Sequence, residues 1–382
     1  MRPTETFGLV RPPLAFDATP KGLTETITKA GVSLSNLVDP RAGAREADVD
    51  SPRSELLRLL PPGKPMLNYL PVGLFGSTMG LTGLSVAWRL AHLRYGAPEW
   101  IALALAALAV LAFVAVLAGY AIKVVTAFPA VKSEFNHPIA GNLFGTVLIS
   151  LLLLPIVLEP FAHRLAQILW VIGSAGMLYF AWFVVNRWMS DRQQVAHATP
   201  AWFIPVVGLL DVPLALPSIG LPPTHGLMVL ALAVGLFFAV PIFTLIFSRL
   251  LFEPPLPDAL KPSLLILVAP FAVGYSAYTI TAAQTDLFAE ALYMLTLFVL
   301  AVLLGQLRNL PLCCPFRVSW WAVSFPLAAC SVAALRFASV RSNIVADAIA
   351  IALLALATLV IAALLGRTLW GLGKGELRTL ST

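Results

Sequence analysis

Charge is what this chain has least of. Of its 382 residues, 12% are Asp, Glu, Lys or Arg, about half the share of an average soluble protein. A soluble fold of this size would lack the polar surface to cover itself, so a soluble single-core enzyme is excluded. Cysteine is almost absent, with only Cys313, Cys314 and Cys330. Adjacent cysteines rarely bond to each other and no CxxC knuckle is present, so three reduced thiols without a role are expected. The chain also lacks HExxH, GxxxxGK(S/T) and a GxGxxG following a strand. Its five histidines, His92, His137, His163, His197 and His225, fall in or near predicted loops and none is paired at metal spacing. No catalytic residue, cofactor or metal is therefore assigned. The opening MRPTETFGLVRPP has no apolar core, so no cleavable signal peptide is expected. The net charge of +6 is too small to suggest a nucleic-acid partner.

What is present is hydrocarbon. Hydrophobic residues make up 59% of the chain and the mean hydropathy is +0.87, values that exclude intrinsic disorder and point to a multi-pass membrane protein. Residues 1–65 hold 9 basic and 8 acidic side chains and read as a polar cytoplasmic tail. From Leu67 onward ten apolar spans are predicted, near 67–90, 99–124, 142–159, 163–186, 200–219, 225–248, 261–283, 286–307, 319–339 and 343–369. The domain reading is a tail of 1–65, a membrane domain of 66–372 and a short cytoplasmic tail of 373–382. With the N-terminus inside, inner loops and the C-terminal tail collect 11 basic residues, among them Lys123, Arg187, Arg249 and Arg367. The outer loops collect 5: Arg89, Arg94, Arg164, Arg336 and Arg341. That bias predicts both termini in the cytoplasm and a location in the inner (plasma) membrane.

Proline sorts the spans into two kinds. The odd spans carry Pro71, Pro155, the cluster Pro200, Pro205, Pro213 and Pro217, then Pro270 and Pro326, whereas among the even spans only the sixth has one, Pro241. The odd spans also carry small and hydroxyl residues, as in YLPVGLFGSTMGLTGLS, whereas the even spans are near-uniform Ala, Leu and Val. Small residues serve close packing. Kinked, hydroxyl-bearing helices suit the lining of a polar cavity, and uniform apolar helices suit lipid. The predicted fold is all-α: ten transmembrane helices in five hairpins around a central pore, odd helices inside and even helices outside. Expected kinks are Pro71, Pro213, Pro270 and Pro326, and expected lining residues are Ser77, Thr78, Asn142, Thr146 and Ser324.

Intramembrane charge is sparse. Asp211 lies in the fifth span and reads either as a pathway group or as half of a structural pair. Glu290 and Asp347 are expected to snorkel or pair at the interface, and Arg336 lies near the end of the ninth span. With no Lys or Arg at mid-span, anion selectivity would be soft, drawn from helix dipoles, hydroxyls and the general basic bias. The densest local feature is FRVSWWAVSFPLAAC, residues 316–330. It sets Trp320 and Trp321 at the inner interface as an aromatic belt, with Phe325 and Pro326 just inside the membrane. Phe325 has two readings from spacing: ordinary packing, or an apolar ring that blocks a pore sterically and by dewetting.

Five segments resemble one family: LPVGLFGSTMGLTGLSVAW (70–88), FNHPIAGNLFGTVL (135–148), TPAWFIPVVG (199–208), KPSLLILVAPFAVGYSAY (261–278) and SWWAVSFPLA (319–328). Taken in order, they are similar to the tellurite-resistance/dicarboxylate transporter family, which includes the bacterial TehA-type proteins and the plant guard-cell slow anion channels. The resemblance implies five helical hairpins with pseudo-fivefold order and a homotrimer with one pore per subunit. It implies that Phe325 plugs the pore and that Phe144 contributes a second aromatic, although Leu143 departs from the family's aromatic run. The family's HPVR-like turn stands here as HPIA, residues 137–140, without its basic residue. The first 65 residues match nothing in the family. In the plant channels a cytoplasmic tail is phosphorylated, which would make Ser33, Ser35 and Ser51 candidate sites for a regulatory kinase; the plain reading of these residues is a solvated tail.

The leading functional expectation is an anion channel or uniporter gated by Phe325, passing chloride, nitrate or small organic anions, with anions and lipid as its partners. A coupled transporter of C4-dicarboxylates, sulfite or tellurite-type oxyanions stays open, as does a receptor or scaffold with an occluded core.

Overall fold

The computed structural model describes residues 67–221, 224–310 and 314–381. Residues 1–65, with Ser33, Ser35 and Ser51, lie outside the described residues, as does Cys313. Every regular element among the described residues is helical. The main ones are α1 (Val72–Phe75 running on into Gly76–Tyr95), α2 (Glu99–Thr126), α3 (Ala140–Leu158), α4 (His163–Ser190), α5 (Pro200–Ile219), α6 (His225–Phe252), α7 (Lys261–Ala282), α8 (Leu287–Leu307), α9 (Val318–Val340) and α10 (Ile344–Gly373). Those from α2 to α10 are each long and apolar enough to cross a membrane. In α1 glycine, serine, threonine, Arg89 and Arg94 dilute the apolar character. The chain is a multi-pass helical membrane protein.

The two kinds of helix differ in burial. For α3, α5, α7 and α9, 67, 83, 67 and 72% of the most apolar stretch is buried, against 22, 39, 28, 39 and 28% for α2, α4, α6, α8 and α10. In α2 the buried residues are Ala102, Ala106, Ala109, Phe113, Val116, Tyr120 and Lys123. Steps of three and four place them in one stripe, and the exposed Leu103, Leu111, Val114 and Leu117 stand between them. A helix that is apolar all round yet buries one stripe is built for lipid on its other faces. The odd helices pack in a closed cycle: α1 on α3, α3 on α5, α5 on α7, α7 on α9 and α9 on α1. Each even helix lies against the odd helix that precedes it.

All five odd helices begin in 3-10 form: Val72–Phe75, Ala140–Phe144, Pro200–Phe203, Lys261–Val268 and Val318–Val323. A 3-10 segment rises about 2.0 Å per residue against 1.5 Å for an α-helix, so a short sequence reaches further. The 14-residue α segments of α3 and α7 would alone cover only ~21 Å of a ~30 Å hydrocarbon core. Three of the expected kink prolines fall at or next to these junctions, and Pro213 follows a second 3-10 segment of α5, Gly208–Asp211. Pro71 is extended ahead of α1, Pro213 and Pro270 stand in the first turn of Val212–Ile219 and Ala269–Ala282, and Pro326 is the third residue of Ser324–Val340. Proline has no N–H to return to the preceding turn and fits a first helical turn.

The short helix Phe128–Asn136, unforeseen in the sequence, ties down the start of α1. Glu134 Oε1 accepts the Val72 N–H at 2.7 Å, and Oε2 accepts from Lys123 Nζ at 2.6 Å and Tyr120 OH at 3.0 Å. Lys123 Nζ also donates to the Leu70 carbonyl at 2.7 Å. Two sequence expectations change. Trp321 is 1% exposed and donates its indole N–H to Thr368 Oγ1 at 3.0 Å, so it is core rather than belt; the indole finds its polar partner on α10 instead of at the headgroups. Cys330 is a free thiol, but Cys314 is disulfide-bonded, so three reduced thiols were wrongly expected; spacing alone did not determine its redox state. Glu290 and Asp347 do pair, with Arg341 and Arg94.

Candidate functional site

The axis of the odd-helix cycle holds two cavities. The N-side cavity, of about 80 Å³, is lined by early residues of each odd helix, including Gly76, Thr146, Phe203, Asp211, Ala269 and Phe325. The C-side cavity, of about 160 Å³, is lined by later residues, including Gly83, Arg89, Leu153, Leu214, Ser276 and Arg336. Both linings draw on α1, α3, α5, α7 and α9 and on none of the even helices. Phe325 and Val273 border both cavities.

Phe325 is held where it is by glycine on α1. A Cβ on Gly80 would stand 2.2 Å from Ser324 Oγ and 2.4 Å from Ser324 Cβ. A Cβ on Gly83 would stand 2.9 Å from Ala328 Cβ and 3.8 Å from Phe325 Cδ2. Only hydrogen in place of a side chain lets α1 and α9 close to this distance. Ser324 fixes the rotation of α9, its hydroxyl lying 2.7 Å from the Trp321 carbonyl and 3.2 Å from that of Gly76. The ring of the next residue is thereby turned to the axis.

The expected lining residues divide. Thr146 lines the N-side cavity, with its hydroxyl donated to the Leu143 carbonyl at 2.6 Å. Ser77, Thr78, Asn142 and Ser324 are in neither lining. Ser77 donates to Leu74 O and borders a separate groove beside α2 and α10. Thr78 is fully buried with an unpartnered hydroxyl. Asn142 donates to Pro138 O and faces a small pocket by Arg187. Hydroxyls that bond back to the preceding turn can sit on any face of a helix, so residue type did not report direction. Phe144 is likewise in neither lining; it packs edge-on against Phe135 and Tyr120, with centroids 5.0 and 6.1 Å away.

The charge along the axis corrects the sequence reading. Asp211 is 2% exposed, with Oδ1 unpartnered, and lines the N-side cavity. Arg89 and Arg336, taken for outer-loop charges, are helical residues of α1 and α9 whose side chains line the C-side cavity. The path therefore carries fixed charge. Both positions fall within the predicted spans 67–90 and 319–339, although the charge bias counts them with the outer loops. Among the described residues no group of three or more His, Cys, Asp or Glu side chains is placed to hold a metal ion.

Comparisons with known proteins place the chain in a family. The chain is 28% identical over 280 residues to the S-type anion channel SLAH2 of Arabidopsis thaliana, covering 71% of this chain and 53% of that protein. It is 24% identical over 309 residues to the guard cell S-type anion channel SLAC1 of the same plant, covering 77% and 55%. To the tellurite resistance protein TehA homolog of Haemophilus influenzae it is 26% identical over 279 residues, covering 69% and 80%. The chain thus spans about half the length of these two plant channels. The SLAC1 family model, described as voltage-dependent anion channel, matches residues 69–369. That stretch begins just before α1 and ends within α10, so it takes in both cavities and Phe325: the chain belongs to the SLAC1 family, which also takes in the TehA-type proteins.

Proposed function

We propose that the protein is an anion channel of the plasma membrane. Its ten helices cross the bilayer as five hairpins, the odd helices enclose one central pathway, and Phe325 is the gate. Both termini face the cytoplasm, and the assembly is a homotrimer with one pathway per protomer. Permeant ions are small inorganic anions such as chloride and nitrate, or small organic anions. The observation that carries this reading is that one aromatic ring borders both cavities, whose linings otherwise share only Val273. An apolar ring across a narrow path excludes ions by size and by dewetting.

The test is planar-bilayer or oocyte recording of wild type and Phe325→Ala with chloride, nitrate, malate and sulfite. The variant should carry the larger anion current. Equal currents in the two would remove the gate.

A second reading rests on Asp211, whose carboxyl lines the N-side cavity without a cation beside it. An acid in that position suits proton-coupled transport of dicarboxylates or oxyanions. For the channel reading, the pH profile of current from mildly acidic to neutral pH is unchanged by Asp211→Asn. Flux that depends on pH in wild type and loses that dependence in the variant would favour coupling.

A further inference from the structure

A groove of about 290 Å³ lies off the axis, between α2 and α10, two of the least buried helices. Its rim includes the exposed Leu369 and Leu372, so it opens toward the lipid-facing side. Its floor is formed by the beginnings of α1 and α9. Along α1 the residues divide between the two sides: Gly73, Gly76 and Met79 border the N-side cavity, whereas Leu74, Ser77 and Leu81 border the groove. Trp321 is the one residue in both linings. It stands as a partition between the axis and the membrane face, one turn before Phe325. Ser324 donates to its carbonyl, which ties that turn to the partition.

The body of the groove suits hydrocarbon. Its three polar lining side chains are already satisfied. The Ser77 hydroxyl donates to Leu74 O at 2.7 Å, the Trp321 indole donates to Thr368 Oγ1 at 3.0 Å, and Thr368 in turn donates to Leu364 O at 2.7 Å. A polar ligand gains no hydrogen bond from them, whereas an apolar chain covers Leu70, Val116 and Leu365. The mouth suits negative charge. Two residues beyond Leu372, Lys374 is exposed, with its Nζ 4.7 Å from the Trp370 ring centroid. It makes no ion pair among the described residues, whereas the neighbouring Arg367 is paired with Glu376. A lysine beside an aromatic ring, just past an apolar groove, is placed to meet a lipid phosphate.

We propose that this groove binds one anionic phospholipid of the inner leaflet, with an acyl chain over the Trp321–Thr368 floor and the headgroup at Lys374, and that its occupancy biases the gate. A chain seated there packs on Trp321 from the membrane side. Trp321 also walls the N-side cavity, so the turn that carries Phe325 feels whether the groove is filled. The effect on the gate rests on the reading of the protein as an anion channel gated by Phe325; binding of the lipid does not, and it is measured separately.

The experiment titrates the full chain in detergent with phosphatidylglycerol carrying brominated acyl chains, which quench tryptophan fluorescence at short range. Wild type should show a saturating component of quenching that Trp321→Phe removes. Ala115 is an exposed residue of α2 on the groove lining, so Ala115→Phe fills the groove without entering the core. It should weaken binding about tenfold or more. Lys374→Gln should weaken it about fivefold, the worth of one lysine at an anionic surface. Brominated phosphatidylcholine, with the same chains and no net charge, should bind wild type less tightly and lose little in Lys374→Gln. Quenching that both Trp321→Phe and Ala115→Phe leave unchanged overturns the site. A groove covered by a second copy of the chain also overturns it: wild type then lacks the component, and Ala115→Phe breaks the assembly on a sizing column. Wild type and Ala115→Phe are next recorded in bilayers of each lipid. Wild-type current should differ at least twofold between the two lipids, and the current of Ala115→Phe should not. Binding with a current indifferent to lipid overturns the coupling to the gate. Binding without anion current in any lipid leaves the site standing and removes the channel reading.

Discussion

The two cavities on either side of Phe325 are built from the same five helices and differ in almost everything else. The N-side cavity is the smaller, about 80 Å³ against about 160 Å³. Its one titratable lining residue is the acid Asp211, whereas the C-side cavity has two arginines and no acid. The backbone differs too, since the N-side cavity sits around the passage from 3-10 to α-helix and the C-side cavity sits among continuous α turns. A ring of helices related by a repeated pattern need not give a symmetric path. The repeated feature is the close packing of small residues; the chemistry is carried by single side chains that break the repeat.

The largest expected effect joins the two cavities. Phe325→Ala removes the ring that borders both, and anion current should rise roughly tenfold or more, equivalent to a barrier lower by about 1.4 kcal/mol. A current equal to wild type would mean that the constriction lies elsewhere and that the two cavities are not separated by this residue. Next is Gly80→Val. The added carbons meet Ser324 on α9, so the helices must part and stability in detergent denaturation should fall by about 1–3 kcal/mol. Current should rise as well, because Phe325 moves with α9; lost stability with unchanged current would detach the gate from this packing.

Smaller effects separate the linings from their supports. Trp321→Phe deletes the donor to Thr368 behind the N-side cavity and should cost about 1 kcal/mol. Conduction should be nearly unchanged if that indole is purely structural. The smallest effect concerns Asp286, which caps α8 between α7 and α8 by accepting from Ala289 N at 3.0 Å. The Tyr278 hydroxyl, and then the Ala289 N–H, hold its carboxyl below the usual carboxylate range. A lowered folded-state pKa gives stability that is present above the unfolded pKa and lost as pH falls through the folded one. Wild type should therefore lose a small increment of stability on acidification below the ordinary carboxylate range. Asp286→Asn should lack that increment, and acid denaturation of the two proteins checks it; an equal loss in both would show that the cap does not titrate in this range.

Much of the fold was legible. Spans of about 20 apolar residues mark where a helix can satisfy its own backbone in hydrocarbon, and the fifth, 200–219, coincides with α5 despite four prolines. Proline and glycine content separated buried from lipid-facing helices. The 3-10 starts were not legible, because nothing in residue identity distinguishes a proline that kinks a helix from one that begins it. The site was legible in part. Phe325 had two readings from spacing, and the family resemblance pointed to the pore; it does border both cavities. Ser77, Thr78, Asn142 and Ser324 are in neither lining; the hydroxyls of Ser77 and Ser324 are satisfied by their own helices and carry no information about which way they face. Arg89 and Arg336 were missed for the opposite reason: a basic residue near a span end is usually a topology signal.

By itself the sequence determined that this chain lives in a membrane and which of its helices are plain enough to meet lipid. Those properties depend on composition summed over tens of residues, and such sums survive any error in a single position. Only the tertiary structure decided which side chains share the axis. A helix turns by 100° per residue, so direction is set by contacts such as Gly80 against Ser324. Those contacts, made between residues more than two hundred positions apart, turned Phe325 to the axis and left Arg89 and Arg336 facing one cavity without a counter-charge.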